Sequence, residues 1–219
     1  MPLLSEPSLA SARPLPVVLL ADISGSMVEY GKIDALNTAV AEMLASFGEE
    51  DDARVRIHVA VITFGEEARL HQPFAPAVEL RWRPMAARGT TPLGAALTLA
   101  TTLIEDRGQI PSRAYRPTII LVSDGIPNDE WHAPLARLHA SERAAKATRH
   151  AMAIGDDADH AVLREFLGHP NQSVFAAHDA RTIRKFFRWV TMTVVSRSRS
   201  VNPNAPLTSP PIELSEFEF

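Results

Sequence analysis

The stretch Pro16-Val17-Val18-Leu19-Leu20-Ala21-Asp22 is a continuous apolar run that ends in a carboxylate. Its lack of polar and apolar alternation is typical of a strand that is buried on both faces of a sheet. The chain continues as Ile23-Ser24-Gly25-Ser26, so Asp22, Ser24 and Ser26 carry side-chain oxygens at every second position. Positions two apart in extended or looped backbone project to the same side, so these oxygens can converge on one point.

Strand and helix patterns alternate along the rest of the chain. Strands are predicted at 16–22, 55–64, 118–124, 149–154 and 173–176, and helices at 32–47, 93–104, 132–148, 159–167 and 179–195. A weaker strand signal at 68–80 is broken by Pro73 and Pro76, which predicts an edge strand or an irregular excursion. The alternation predicts a doubly wound α/β fold with a mostly parallel central sheet, one antiparallel edge strand and helices on both faces.

Composition restricts the kinds of site that the chain can build. It has 219 residues, with 22 Lys and Arg against 26 Asp and Glu, a formal net charge of −4 and no cysteine. The lack of cysteine excludes disulfides, thiolate zinc sites, iron–sulfur clusters and cysteine nucleophiles, so any metal is held by oxygen or imidazole. The mildly acidic balance argues against nucleic acid as a partner, because nucleic-acid interfaces usually show a basic patch.

The two ends of the chain differ from its middle. Residues 1–14 form a Pro/Ser-containing arm without the apolar core of ~7–15 residues that a signal peptide needs. No early apolar run approaches the ~20 residues that span a membrane, so we expect a cytoplasmic protein with no membrane partner. Residues 15–198 are predicted to form one domain, and residues 199–219 a Pro-rich acidic tail. The tail is expected either to be disordered or to dock on a partner through Leu214, Phe217 and Phe219.

A second carboxylate is predicted at the same edge of the sheet as Asp22. The run Thr118-Ile119-Ile120-Leu121-Val122-Ser123-Asp124 is predicted to be a buried strand that ends in Asp124. In open α/β sheets, ligands bind outside the carboxyl ends of the strands, where the strand order reverses. A site with two carboxylates and hydroxyls suits Mg²⁺ better than Ca²⁺, which usually takes ~6–8 oxygens. We therefore expect a Mg²⁺ site, with Ca²⁺ or Mn²⁺ as alternatives.

Three segments together resemble a known family. Asp22-Ile23-Ser24-Gly25-Ser26 is similar to the Asp-x-Ser-x-Ser motif of von Willebrand factor type A (VWA) domains. Gly89-Thr90-Thr91-Pro92-Leu93-Gly94-Ala95-Ala96-Leu97 is similar to the threonine loop of that family, and Ser123-Asp124-Gly125 to its second aspartate. In the family, the three segments form the metal ion-dependent adhesion site (MIDAS). The resemblance covers residues 15–195 and implies the Rossmann-like VWA fold.

The resemblance also implies a role for each site residue. Ser24 and Ser26 would bind the metal directly, and Thr91 would bind it directly or through water. Asp22 and Asp124 would act mostly through water. A Glu or Asp of a partner protein would then complete the coordination of the metal.

Further segments resemble the bacterial TerY-like branch of the family, which is linked with tellurite resistance and stress operons. These segments are 16–27, 31–37, 91–97, 121–131, 155–159, 187–189 and 195–198. The resemblance implies a cytosolic scaffold that works beside a kinase or phosphatase of the same operon. One departure is Thr90, which replaces the glycine that usually precedes the metal-site threonine and is expected to stiffen the loop.

The predicted function is a protein-binding module that is not an enzyme, and a Mg-dependent hydrolase or phosphotransferase is the alternative. Against the alternative, the chain has no Gly-x-x-x-x-Gly-Lys-[Ser/Thr] phosphate loop, and Asp22 lacks the second Asp two residues on that aspartate-based phosphatases use. The sequence also shows no clear general base for Ser24 or Ser26. A third interpretation is a metal-free scaffold in which the hydroxyls brace the loops.

Other polar motifs are expected to have structural roles. The aspartates of 156–159 lack EF-hand spacing and are expected to form turns and helix caps. His132 and His139 lie seven residues apart without a third zinc ligand and are expected to be solvated or structural. The segment 129–131 is expected either at the rim of the metal site or, through Trp131, in the core.

Overall fold

The computed structural model describes residues 12–50 and 53–205 of the chain. The strands in these residues are β1 (Arg13–Asp22), β2 (Val55–Phe64), β3 (Ala68–Pro76), β4 (Thr118–Ser123), β5 (Thr148–Ile154) and β6 (Phe175–Ala177). They form one sheet of order β3-β2-β1-β4-β5-β6. All neighbouring pairs are parallel except β2 and β3 at the edge, which are antiparallel. The predicted mostly parallel sheet with one antiparallel edge strand is confirmed.

Helices cover both faces of this sheet, as predicted. In the described residues they are α1 (Lys32–Gly48), α2 (Leu93–Glu105), α3 (His132–Ala140), α4 (His160–Leu167) and α5 (Ala180–Arg199). The apolar sides of α1 and α5 belong to one core cluster, and those of α2, α3 and α4 belong to a second. The sheet therefore lies between two helical layers.

The central strand β1 shows why its sequence has no polar alternation. Val17 and Leu19 belong to the core under α1 and α5, whereas Val18 and Leu20 belong to the core under α2, α3 and α4. All four side chains are fully buried, and each such burial contributes roughly 1.5–3 kcal/mol. From β1 the chain adds β2 on one side and later β4 on the other, so the strand order reverses between β1 and β4.

The helix predicted over 132–148 is wrong beyond Ala140. A short 3₁₀ helix, Ala144–Lys146, follows α3 and precedes β5. Glu105, at the end of α2, accepts hydrogen bonds from the backbone N–H of Arg143 and of the next residue, at 2.8 and 2.9 Å. These contacts between distant parts of the chain hold the segment against α2, and local apolar spacing does not reveal them.

The closing helix α5 is longer than the predicted 179–195 and extends to Arg199. Arg197 near its end is buried, and its guanidinium donates to Thr118 Oγ1 and to the carbonyl oxygen of Pro203 at 2.6 and 3.1 Å. An apolar-spacing pattern counts arginine as a polar residue, so it ends the helix too early.

No helix in the described ranges is long and apolar enough to cross a bilayer. Most of the predicted arm, 1–14, and most of the predicted tail, 199–219, lie outside the described residues. The proposed tail anchors Leu214, Phe217 and Phe219 are among the residues outside.

His150 on β5 is a half-buried histidine whose ring lies against α5. Its ring packs edge-on against Trp189 of α5, with ring centroids 4.8 Å apart. Its Nε2 is buried without a hydrogen-bond partner in the part of the chain that the structure describes. Burial, together with the charge of Arg197, lowers the pKa of His150 from 6.5 to about 4. Because the unfolded chain takes up this proton first, the folded state loses stability as the pH falls from 6.5 toward 4.

Replacing His150 by phenylalanine is expected to reduce this pH dependence. The full shift corresponds to about 3 kcal/mol of unfolding free energy, and phenylalanine keeps the ring contact without gaining a proton. Urea denaturation at several pH values between about 7 and 4.5 measures the loss, because most of this linkage lies in that interval. The variant should lose less stability than the wild type, and His169→Phe at an exposed position should keep the wild-type slope. Equal slopes for His150→Phe and the wild type would contradict the prediction.

Candidate metal centre

Asp22 and Asp124 lie at the carboxyl ends of the neighbouring strands β1 and β4, where the strand order reverses. Ala21 of β1 lies opposite Val122 of β4, so the two strands end side by side. Asp22 is 0% exposed and Asp124 is 1% exposed. Buried carboxylates are costly without partners, so the contacts of these two groups define the site.

Asp22 is held by its own loop and by the end of β4. Its Oδ1 accepts from the backbone N–H of Ser24 at 2.8 Å, and its Oδ2 accepts from Ser123 Oγ at 2.6 Å. Burial raises the pKa of Asp22 to about 6, against the opposing effect of the hydrogen bonds from Ser123 and Ser24, and the charge of Asp124 raises it further. Asp22 therefore orients the serine loop, residues 23–26, and a nearby cation would favour the ionised form of Asp22.

Ser24 and Ser26 direct their hydroxyls at one oxygen of Asp124. Ser24 Oγ donates to Asp124 Oδ1 at 3.2 Å, and Ser26 Oγ donates to the same oxygen at 2.8 Å. The two hydroxyl oxygens lie 3.0 Å apart. The structure thus brings the two hydroxyls that follow β1 to the carboxylate that follows β4, about a hundred residues later in the sequence.

Thr91 lies in the loop before α2 and is brought to the same place by the segment after β4. Asn128 Oδ1 accepts from the backbone N–H of Thr91 at 3.0 Å, and the N–H of Asn128 donates to the carbonyl oxygen of Thr91 at 3.1 Å. A Cβ added to Gly125 would lie 3.1 Å from Thr91 Oγ1. The threonine hydroxyl therefore lies against the backbone that directly follows Asp124.

A backbone hydrogen bond between two glycines links the serine loop to the threonine loop. The N–H of Gly25 donates to the carbonyl oxygen of Gly89 at 3.0 Å. Gly89 has a φ of +81°, and a Cβ there would lie 2.3 Å from a backbone nitrogen of the neighbouring loop, so only glycine fits. Thr90 is exposed, and its backbone N–H and hydroxyl both donate to the carbonyl oxygen of Gly65, at 3.2 and 3.4 Å.

A family model of the von Willebrand factor type A domain matches residues 17–189, which is more than half of the chain. The chain belongs to this family. The matched span contains both carboxylates, both serines and the threonine of the centre. No curated relative matches the sequence.

Three solved structures share the fold of this VWA domain. The ArnB paralog VWA2 from Sulfolobus acidocaldarius is 16% identical with a TM-score of 0.60, and the match covers 87% of this chain and 47% of that chain. A von Willebrand factor type A protein from Catenulispora acidiphila is 24% identical with a TM-score of 0.60, and the match covers 83% and 43%. Proximal thread matrix protein 1 from the mussel byssus, with a zinc-occupied MIDAS motif, is 15% identical with a TM-score of 0.59, and the match covers 85% and 48%. At these identities the likeness shows the fold alone, and each match covers less than half of the neighbour's chain.

The residues of this VWA domain fit a hard divalent cation, which VWA domains commonly bind at the MIDAS. Within the described residues, no group of three or more His, Cys, Asp or Glu side chains is placed to hold a metal. The donors are instead hydroxyls and two carboxylates, which suit a hard cation that keeps some of its water. Asp124 already has a positively charged partner from the chain itself, because the Lys32 ammonium donates to Asp124 Oδ2 at 2.8 Å.

Several residues that build the centre were not predicted from the sequence. They are Lys32, Ser123 and Asn128, whereas Asp129 belongs to the segment that was expected at the rim of the site or in the core. Asp129 accepts from the backbone N–H of Gly94 and of the next residue, both at 2.9 Å, and so caps α2 from another loop. A capping aspartate is a recognisable signal, but the helix that it caps begins about 35 residues earlier. Nothing local distinguishes Lys32 from a solvated lysine at a helix start.

The other polar motifs have the structural roles expected of them. Asp159 caps α4 by accepting from two backbone N–H groups, which confirms the predicted capping role. His132 stacks on Trp131 with ring centroids 3.8 Å apart, and Trp131 packs partly buried against the core. His139 Nε2 lies 3.1 Å from the carbonyl oxygen of Phe166. The two histidines therefore have contacts of their own that do not involve a metal.

Proposed function

We propose that this VWA domain binds a divalent cation, Mg²⁺ before Ca²⁺ or Mn²⁺, and uses it to bind an acidic side chain of a protein partner. The observation that carries the proposal is the meeting of the Ser24 and Ser26 hydroxyls with Asp124 within 3.2 Å, beside Asp22 and Thr91. Ser24 and Ser26 would bind the cation directly and Thr91 directly or through water. Asp22 and Asp124 would hold it mostly through water.

The charges of the ligands support recognition of an acidic partner. Ser24, Ser26 and Thr91 are neutral, so direct ligation by their hydroxyls leaves most of the cation's charge uncompensated. When bound, the cation supplies a coordination position for a carboxylate of the partner. The net charge of the whole chain is −4, so the attraction for an acidic side chain would reside in this centre and not in the overall charge.

The same contacts favour a binding module over a hydrolase or phosphotransferase. Ser24 and Ser26 both donate to Asp124, and the other oxygen of Asp124 is paired with Lys32. A general base must be available to take a proton, and this pairing opposes that role for Asp124. We therefore infer a non-enzymatic protein. Purified wild type and Asp22→Ala should show the same background rates in phosphatase and nucleotide hydrolysis assays.

The resemblance to the TerY-like branch supports a narrower proposal. The domain, residues 15–198, would act as a cytoplasmic scaffold in a bacterial stress or tellurite-resistance system, flanked by the arm 1–14 and the tail 199–219. Its partner would be a kinase or phosphatase of the same operon. This narrower proposal is supported by the sequence segments alone, because the family match extends only to the VWA domain.

Calorimetric titration with Mg²⁺ tests the metal centre directly. The wild type is expected to bind the ion, and Asp22→Ala is expected to bind it at least about tenfold more weakly, because the serine loop loses its anchor. Asp22→Asn keeps an oxygen for the N–H of Ser24 and separates loss of charge from loss of the loop anchor.

Asp34→Ala is the matched control for this titration. Asp34 lies exposed in the first turn of α1 and its side chain is outside the centre, so its removal should leave Mg²⁺ binding unchanged. Undiminished Mg²⁺ binding by Asp22→Ala would refute the assignment, as would an absence of binding by the wild type.

A further inference from the structure

Lys32 places a positive charge on the carboxylate that the divalent cation needs. Its Nζ lies 2.8 Å from Asp124 Oδ2, and its side chain is 12% exposed while that of Asp124 is 0% exposed. The opposite oxygen, Oδ1, accepts from Ser24 and Ser26. Asp124 therefore divides its two oxygens between the hydroxyls of the centre and the ammonium.

The position of the ammonium is built by two separate parts of the chain. Lys32 is the first residue of α1, and it follows Tyr30 and Gly31, which both have left-handed backbone with φ of +53° and +68°. At the end of β5, the backbone of Gly155 lies beside the lysine side chain: a Cβ there would be in ordinary van der Waals contact with Nζ and Cε, at 3.4 and 3.5 Å. An exposed lysine on a solvated helix face would not have these contacts.

The charge balance shows what this ammonium does to the centre. Asp22 and Asp124 carry −2 when both are ionised, and Lys32 reduces the sum to −1. A divalent cation that enters beside Ser24 and Ser26 is attracted by both carboxylates and repelled by the ammonium on the same Asp124. At short range in a partly buried site, such a repulsion is worth at least about a tenfold change in affinity.

We propose that Lys32 is a tethered competitor of the divalent cation: it neutralises Asp124 in the cation-free domain and weakens cation binding at the centre. The proposal rests on the proposed function, because it assumes that a divalent cation binds there. It goes further by assigning to one side chain the control of how tightly that cation is held. The expected consequence is a centre that fills only at a higher cation concentration than its carboxylates alone would require.

Calorimetric titration with MgCl₂ and MnCl₂ tests the proposal on the full chain. Lys32→Met removes the charge and keeps an unbranched stem, and it should bind each ion at least about tenfold more tightly than the wild type. Lys32→Gln is a second neutral variant that should shift in the same direction if the methionine variant folds poorly. Lys32→Arg keeps the charge and should stay within about threefold of the wild type.

Lys146→Met is the matched control. Lys146 lies just before β5, at the amino end of that strand, whereas the centre lies at the carboxyl ends of the parallel strands. The same substitution there should therefore leave the affinity unchanged. Thermal unfolding in chelator and in excess MgCl₂ gives a second readout, since the neutral variants should gain more stability from the ion than the wild type does.

Each result of these titrations decides the proposal. Tighter binding by both neutral variants with Lys32→Arg unchanged supports it. Equal or weaker binding by the neutral variants overturns the role of Lys32 and leaves the metal centre standing. Tighter binding by Lys32→Arg as well shows that charge is not the cause and also overturns it. Absence of binding in every variant overturns both this role and the proposed function.

Discussion

Replacing Gly94 by alanine is expected to lower the free energy of unfolding by about 3 kcal/mol, because the added methyl group has no space. Its Cβ would lie 2.1 Å from the carbonyl oxygen of Glu130 and 3.0 Å from the Cα of Trp131. Both are backbone atoms, so relief requires the start of α2 and the segment after β4 to move apart. Urea denaturation of the wild type and the variant measures the loss.

The same substitution is expected to weaken cation binding, because it separates the two loops that meet at Thr91. Gly94 and the next residue donate their backbone N–H groups to Asp129, and Thr91 exchanges two hydrogen bonds with Asn128, so four hydrogen bonds join these loops. A shift between them moves the Thr91 hydroxyl away from the backbone that follows Asp124. The affinity for Mg²⁺ should therefore fall together with the stability.

Gly48→Ala is the matched control for Gly94→Ala. Gly48 is the last residue of α1, and a Cβ there would meet its nearest neighbour, the Cα of Val78, at 3.5 Å. Alanine is favoured over glycine in helices by roughly 0.5–1 kcal/mol, so this variant should be as stable as the wild type or slightly more stable. A Gly94→Ala protein as stable as Gly48→Ala would show that the two loops are not held in contact as described.

The fold was predictable because burial of β1 on both faces leaves a direct trace in sequence. Val17 to Leu20 belong alternately to the two core clusters, so the run contains no polar residue. The errors fall where a charged side chain makes contacts far along the chain. Arg143 is hydrogen-bonded to the end of α2 and Arg197 to Thr118, and neither partner is visible in a local pattern.

The candidate site also contains some residues that were predictable from the sequence and others that were not. Asp22, Ser24 and Ser26 were predictable because they lie two residues apart in one short segment, and Asp124 because it directly follows a buried strand. Lys32 was not, because its role depends on an ion pair with Asp124, which lies 92 residues further along the chain. Residues that carry a motif are local in sequence, whereas residues that support or neutralise them are brought in by the fold.

Replacing Asp124 by alanine is expected to abolish detectable cation binding and to destabilise the cation-free domain. The affinity for Mg²⁺ should fall by about 100-fold or more, because the centre loses one of its two carboxylates. In chelator, Ser24, Ser26 and Lys32 lose the acceptor that they share, which should lower the free energy of unfolding by roughly 1–3 kcal/mol. Calorimetry and urea denaturation measure the two effects separately. Asp106→Ala removes an exposed aspartate just beyond the C-terminal end of α2, whose side chain accepts only from the N–H of Gly108 among the hydrogen bonds described, and should leave the affinity for Mg²⁺ unchanged.

The double variant Lys32→Met with Asp124→Ala tests whether the two side chains act as a pair. In chelator, Asp124→Ala leaves the largely buried ammonium without its counterion, and Lys32→Met leaves the carboxylate without its own. The double variant has neither unpaired charge, so its loss of stability should be smaller than the sum of the two single losses by at least about 1 kcal/mol. In excess Mg²⁺, the ion replaces the ammonium as partner of Asp124, and Lys32→Met alone should recover part of its loss. Additive losses in chelator would show that Lys32 and Asp124 are not energetically coupled. A cation that binds at the centre would then have no favourable interaction between these two side chains to replace, and Lys32 would not be its competitor.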